Sequence, residues 1–409
     1  MTEVHIPEGV TVFGSNAFLG NASLKKVIYE PDSAVCQNLF YGCTAIEGFT
    51  LGSKVRHIPA GLFQGCINII EIIIPEHVKS VGERAFYGCS NVRKLSIGSQ
   101  VDTIGWGAFV LLDSLVELEY LPDAIINSGL LSGSGSPHLE QVTLGKNVRK
   151  LEYDTFRKCP NLKRLNYNAE NLQSTYLFSS TPVEHITFGQ SVKSIPECTF
   201  QECMNLKEIV LPDSLIEVGR SAFARCDSIR RISFGTQLQT IGSNAFSCQG
   251  VEEIYYNTIH LSSTNGIVYS KSLSKIIFGP DVQTLPKSAI LGLDGLKRLD
   301  LADNIEILDD YAIRNCQQLK SIYIGKNLKR IGLVCITDCD SLDSICFNAE
   351  KAEYVNFTLT IGQQIKHLTF GPDVKEAPGY FDFPLITTLT LNKGLEKIAG
   401  FAFSDCTGL

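Results

Sequence analysis

Ile73-Ile-Pro-Glu-His-Val78-Lys-Ser-Val81-Gly-Glu-Arg-Ala85-Phe86-Tyr-Gly-Cys89-Ser-Asn-Val92-Arg-Lys-Leu95 is a phrase that this chain says again and again. From Leu211 it reads Leu-Pro-Asp-Ser-Leu215-Ile-Glu-Val218-Gly-Arg-Ser-Ala222-Phe223-Ala-Arg-Cys226-Asp-Ser-Ile229-Arg-Arg-Ile232. Working outward, Phe40, Phe63, Phe86 and Phe109 recur at intervals of 23 residues, as do Phe200, Phe223 and Phe246, and Ile290, Ile313 and Ile336. The last residue of each Leu-x-x-Leu-x-Leu-like segment can be marked eighteen times, from Ile6, Tyr29 and Leu51 to Phe370 and Leu391, with gaps of 21 to 24 residues. Self-similarity at such a period is the signature of a repeat architecture.

Each unit contains one alternating segment such as Leu162-x-x-Leu165-x-Tyr167, which predicts a short strand with one face in and one face out. A Gly-Pro-Asp type turn follows, as at 279–281 and 371–373, and then a second short segment of Val-x-x-Ile type. The Ala-Phe-x-x-Cys stretch predicts a single helical or 3₁₀ turn, too short to stand alone. No unit can bury its apolar side by itself, so stacked units must share one core. The predicted fold class is therefore a repeat solenoid, mainly β, of about 18 coils. A parallel sheet lies on one side and short strands or 3₁₀/helical turns lie on the other. A length of 409 residues would ordinarily suggest two or three domains; the period replaces that with one solenoid over 1–409. The last residues, Phe403-Ser-Asp-Cys-Thr-Gly-Leu409, stop in mid-pattern, which reads as a cut from a longer protein.

The recurring Ile-Gly-x-x-Ala-Phe-x-x-Cys-x-x-Leu phrase resembles that of the BspA-like (treponemal-type) leucine-rich repeat family. It is clearest at Val81–Val92 and Val218–Ile229, and returns at Ile398–Leu409 with Ala399 in place of the Gly. The resemblance covers the whole chain. It implies a surface-exposed or secreted microbial protein that binds host molecules or other cells, and it carries no shared catalytic motif. The N-terminus, Met1-Thr-Glu-Val-His-Ile-Pro, shows neither the basic nor the apolar region of a signal peptide. A cytoplasmic location is the alternative.

Composition narrows the chemistry. With 44% hydrophobic and 19% charged residues the chain can build a core. Its 36 basic and 43 acidic residues leave a formal charge of −7, which argues against nucleic acid as a partner. Nine of the 14 cysteines (43, 66, 89, 159, 203, 226, 316, 339 and 406) sit three residues after the anchor Phe or Ile. Asn21, Leu112 and Leu293 fill that slot elsewhere; a slot that accepts Leu is apolar and predicts a column of buried free thiols. Cys36, Cys198, Cys248, Cys335 and Cys346 lie off the pattern. Cys335-Ile-Thr-Asp-Cys339 has metal-like spacing, but no His stands nearby and no second pair repeats it, so no metal is assigned. The seven histidines are scattered, and neither a nucleophile elbow nor a phosphate-binding loop is present. The reading is of no enzyme, no catalytic residue and no cofactor.

What remains is the outward face of the strands. One row alternates in sign at Glu71–Lys94–Glu117 and at Glu208–Arg231–Glu253–Lys275, which predicts lateral ion pairs between coils. The adjacent row is mostly Ile, Thr and Ser but gains Tyr255, Asp300 and Tyr323. Beside them Arg298 lies between Lys275 and Ser321 and so lacks an acidic neighbour in its own row. Tyr255, Arg298, Asp300 and Tyr323 are the candidate partner-binding residues, since aromatic and Arg side chains dominate binding hot spots. Trp106 is a lone exposed aromatic away from the sheet. The Asn-, Ser- and Thr-rich units around 121–143, 168–187, 257–277 and 348–369 lose the repeat phrase, and Ser174–Pro182 and Ser262–Gly266 are expected to be mobile edges. The function expected is a monomeric, non-catalytic scaffold for a protein or glycan partner at a microbial surface, without membrane insertion in this segment. The alternative is a structural spacer or stalk.

Overall fold

A computed structural model describes residues 2–32, 34–123, 136–152, 155–262, 267–350, 364–379, 381 and 383–409. All eighteen marked segments form short parallel strands, from Glu3–Ile6 and Lys26–Tyr29 to His367–Phe370 and Thr388–Thr390. The coils fall into two compact units, Met1–Leu206 and Lys207–Leu409. In the first, Glu71–Ile74, Lys94–Ile97, Glu117–Tyr120, Gln141–Leu144, Arg164–Tyr167 and His185–Phe188 make a six-stranded sheet. In the second, Arg298–Asp300, Ser321–Ile324, Ser344–Phe347, His367–Phe370 and Thr388–Thr390 make a five-stranded one. Registers place each residue beside its equivalent in the next coil: Glu71 on Lys94, Ile72 on Leu95, Ile74 on Ile97. Two-residue strands such as His57–Ile58, Ser80–Val81 and Thr103–Ile104 pair along a second side. Among the described residues the Ala-Phe-x-x-Cys stretches are turns rather than helices, and where Ile replaces Phe they become strand pairs, Ile290–Leu291 on Ile313–Arg314 on Ile336–Thr337.

The turns have a backbone pattern of their own. Residues two before and two after the anchor have positive φ: Gly61 (φ 62°) and Gly65 (φ 71°) around Phe63, Arg84 (φ 52°) and Gly88 (φ 74°) around Phe86. The amides of this segment then point along the stack. Gly61, Phe63 and Gly65 donate to the carbonyls of Glu83, Ala85 and Tyr87 at 2.8, 2.7 and 2.8 Å. A non-glycine residue in the left-handed region loses roughly 1–2 kcal/mol. A backbone hydrogen bond returns about 1 kcal/mol, and an unmade buried one costs more. Three bonds per turn therefore hold even Arg84 in that conformation, with Arg84, Phe86 and Gly88 donating to the carbonyls of Trp106, Ala108 and Val110 at 3.0, 2.9 and 2.9 Å.

Inside, the anchors stack. Phe18, Phe40, Phe63, Phe86 and Phe109 have consecutive ring centroids 5.1 to 5.6 Å apart and planes within 26°. Such pairs add about 0.5–1.5 kcal/mol each beyond burial. The thiol column runs beside them: Cys43, Cys66 and Cys89 donate from Sγ to the carbonyls of Phe18, Phe40 and Phe63 at 2.9, 3.2 and 3.2 Å. All fourteen cysteines are free thiols. Cys248, off-pattern in sequence, also belongs to the column, donating to Phe223 O at 3.0 Å; its coil is one residue shorter between Phe234 and Tyr256, which draws the thiol into the slot.

The segment 174–182 departs from expectation. It is packed: the Ser174 hydroxyl accepts from Leu151 N at 2.7 Å and donates to Leu151 O at 2.8 Å. Phe178 stacks on Phe156 at 4.9 Å and on Phe200 at 5.6 Å. A serine can replace the missing strand pair because its one oxygen serves both backbone groups. Residues 263–266 of the other expected mobile edge lie outside the described residues.

Coil spacing and burial lead to three predictions. A Cβ on Gly82 would meet Ala60 N at 2.5 Å and Pro59 C at 2.6 Å, whereas one on Gly48 meets nothing within 4 Å. Gly82→Ala should cost about 3 kcal/mol by overpacking and Gly48→Ala almost nothing, as read by urea denaturation. Of the cysteines, only Cys36 and Cys346 are half-buried, so a native thiol titration should label these two and leave the other twelve until the chain unfolds. Burial pushes Cys89, Cys248 and Cys335 from 9.0 up to about 12. A thiol whose folded value is raised stabilises below its unfolded value and loses that contribution as pH climbs through the folded one. The urea midpoint should therefore hold to about pH 8 and fall between pH 9 and 12.

Candidate binding surface

On the five-stranded sheet of the second unit the outward residues form two registered rows. Arg298, Ser321, Ser344, His367 and Thr388 make one, and Asp300, Tyr323, Cys346, Thr369 and Thr390 the other. Residues i and i+2 of a strand share a face, and this decides the fate of Arg298. Its Nε lies 2.8 Å from Asp300 Oδ1 and 3.0 Å from Oδ2. The cation that seemed to lack an acidic neighbour finds one along its own strand rather than across it. With side chains 66% and 54% exposed, the pair fixes orientation more than it stabilises, since exposed ion pairs contribute roughly 0–1 kcal/mol.

Asp300 stands in register with Tyr323, so three of the four predicted residues meet. The Tyr323 ring is half-buried, and its hydroxyl accepts from Asn348 Nδ2 at 3.0 Å. Asn348 itself is buried and clips a third coil: Nδ2 donates to Asp373 Oδ2 at 2.8 Å, and Oδ1 accepts from Asp373 N at 3.0 Å. Burial raises the Tyr323 hydroxyl above its usual range; the Asn348 donor opposes this and the carboxylates of Asp303 and Asp373 add to it. Tyr323 is thus a neutral, oriented ring.

Tyr255 is not part of this cluster. It lies on the sheet of Glu208–Val210, Arg231–Phe234, Glu253–Tyr256 and Lys275–Phe278, in register with Ser233 and Ile277. The residue that sequence reasoning did not assign to the surface is Cys346, in register between Tyr323 and Thr369 and half-buried. Burial raises its thiol, with Arg298 pulling down and Asp300 pushing up. Its place at the third strand residue, where neighbours carry Tyr323 and Thr369, was the available signal.

Of the predicted lateral ion pairs, Lys94–Glu71 and Lys275–Glu253 close, both at 3.3 Å. Trp106 is not isolated: the Arg84 guanidinium sits 4.7 Å from its ring centroid and 5.8 Å from that of Tyr87. The Cys335/Cys339 spacing gathers no ligand set. Cys335 is buried, Cys339 shares a hydrogen bond with Cys316 in the adjacent coil, and among the described residues no group of three or more His, Cys, Asp or Glu side chains could hold a metal ion. Among those residues no helix is long and apolar enough to cross a membrane.

Comparison with known proteins agrees with the coil geometry. The BspA type leucine rich repeat region matches in six copies, over residues 1–116, 33–163, 171–294 and 283–409. No curated protein matches the chain. Among solved structures, a leucine-rich repeat protein from Bacteroides ovatus is 22% identical, with 84% of this chain and 86% of that one covered and a TM-score of 0.41. A leucine rich cell surface protein from Faecalibacterium prausnitzii is 16% identical over 100% and 91% of the two chains, with a TM-score of 0.28. The pneumococcal vaccine antigen PcpA is 19% identical over 97% and 89%, with a TM-score of 0.29. The phrase repeated through the sequence, its stacked coils and the match along nearly all their length together show that this chain belongs to the BspA type leucine-rich repeat family.

Proposed function

We propose that the chain is a non-catalytic, monomeric binding scaffold whose strand face takes a protein or glycan partner at a microbial cell surface. We take its coils as one run from 1 to 409. The observation that carries this reading is the Arg298–Asp300–Tyr323 cluster, an oriented Arg fork and a fixed ring on a sheet whose neighbouring positions are small and hydroxylic (Ser321, Ser344, Thr369). The ring and guanidinium supply contact area with little ordering left to lose, and the hydroxyls accept a partner without steric conflict. Tyr255, on its separate sheet, would contribute a second contact. The surface location rests on the family's character.

A spacer or stalk is the competing reading, and one observation favours it: the exposed charges largely cancel within the protein, as at Glu71–Lys94, Glu253–Lys275 and Arg298–Asp300. Immobilised full-length chain challenged with soluble host-type matrix proteins and a glycan array separates the two. A binding scaffold should capture at least one of these, and Arg298→Ala with Tyr323→Ala should weaken capture about 30-fold, as loss of a hot spot of roughly 2 kcal/mol implies, with the thermal midpoint nearly unchanged. Failure to capture anything, or capture indifferent to both substitutions, favours the spacer.

A further inference from the structure

The turns of the first unit enclose a feature that the strand face does not use. Across four successive coils they leave an open groove of about 520 Å³, within the range of roughly 300–1,000 Å³ typical of small-ligand sites. Its cause is local. The floor is Ala60-Gly61, at the positions where adjacent coils carry Gln37-Asn38 and Glu83-Arg84. Gly61 has a φ of +62°, and a Cβ there would come within 2.0 Å of Asn38 Oδ1. The row of turn side chains is interrupted at this coil, and the interruption is the groove.

The groove is preformed. Asn38, Gly61 and Arg84 are held at positive φ by amides that donate to Ala60, Glu83 and Trp106 carbonyls at 3.4, 2.8 and 3.0 Å. Arg84 is fixed as well by the Trp106 ring beneath its guanidinium, 4.7 Å away, and by Glu83 Oε1, 3.9 Å from its Nε. Tyr41, 42% exposed, and Gln64 line the other wall.

The lining selects a chemical class. Side-chain amides of Asn16, Gln37, Asn38 and Gln64 each offer both a donor and an acceptor. The only two charges, Glu83 and Arg84, neighbour and offset one another. A polyanion or polycation would find no net field to follow. An apolar protein anchor would find only Leu19 and Ala60 as aliphatic contacts. Neighbouring hydroxyls on a sugar ring are donor and acceptor at once, which suits amides and a carboxylate, and the ring's C–H face suits an aromatic wall. We propose that this groove binds a neutral oligosaccharide, with Tyr41 as the stacking face and Gln64, Asn38 and Glu83 bonding its hydroxyls. The site is separate from the strand face and stands or falls independently of it.

The full-length chain should be titrated by saturation-transfer NMR and calorimetry with neutral tetrasaccharides of glucose, mannose, xylose and N-acetylglucosamine. Tetragalacturonate and an alanine-glutamine peptide serve as the acidic and peptide alternatives. At least one neutral tetrasaccharide should bind. Tyr41→Ala should weaken that binding at least tenfold and Gln64→Ala at least threefold, with unchanged circular dichroism. Both positions are on the surface of a turn whose bonds are backbone bonds, and the milder Gln64 variant keeps the test open if the first disturbs folding. Arg298→Ala and Tyr323→Ala should leave it unaffected, which separates this site from the strand-face reading. The assignment is overturned if no neutral tetrasaccharide binds, if Tyr41→Ala and Gln64→Ala leave affinity unchanged, or if tetragalacturonate or the peptide binds more tightly through the same residues.

Discussion

Successive coils approach one another to the distance of paired strands, about 4.8 Å, on every side of the turn and not only in the sheet. Once Phe63 N must reach Ala85 O at 2.7 Å and Gly61 N must reach Glu83 O at 2.8 Å, much else is constrained. The residue after Val81 has no room for a Cβ against the preceding backbone, and Gly105, Gly242 and Gly332 repeat that circumstance, with contacts of 2.3 to 2.5 Å. Aromatic anchors at a matching spacing stack as parallel rings. A residue three further on faces the carbonyl of the previous anchor, so a small apolar side chain with a weak donor, a thiol, fills the slot and satisfies it. Phrase and period are the sequence's image of that one spacing.

This explains what could be read in advance. Strand ends, anchors and the thiol slot recur at fixed positions, because each must meet its own copy in the next coil. The conformation of the turn was not legible: Arg84, Arg225 and Tyr311 all have positive φ, which no propensity of those side chains suggests and which is imposed by their amides donating to Trp106, Ser247 and Leu333 carbonyls of the next coil. Cys248 was misplaced because a one-residue shortening moves the slot without changing the vocabulary. Segment 174–182 looked loose because Ser and Thr are usual in loops, yet the Ser174 hydroxyl replaces a strand pair.

The surface was harder to read for a related reason. Rows across coils follow from the period, whereas pairs within one strand follow from which side chain reaches first. Arg298 turned to Asp300, two residues away on the same face, instead of to another coil. Tyr255 fell on a different sheet from Asp300 and Tyr323. Where charges pair inside the protein, as at Arg298–Asp300 and Glu83–Arg84, ring faces, amides and hydroxyls are the remaining polar and aromatic groups of the strand face and of the groove over Ala60-Gly61.

Site-resolved amide hydrogen exchange tests the coil-to-coil bonding most directly. If the turns are tied to the next coil as the strands are, the amides of Phe40, Gly42, Phe63 and Gly65 should exchange as slowly as those of the strand residues Ile72 and Leu95. Exchange of the turn amides at the rate of open loops, with the strand amides still protected, would contradict it.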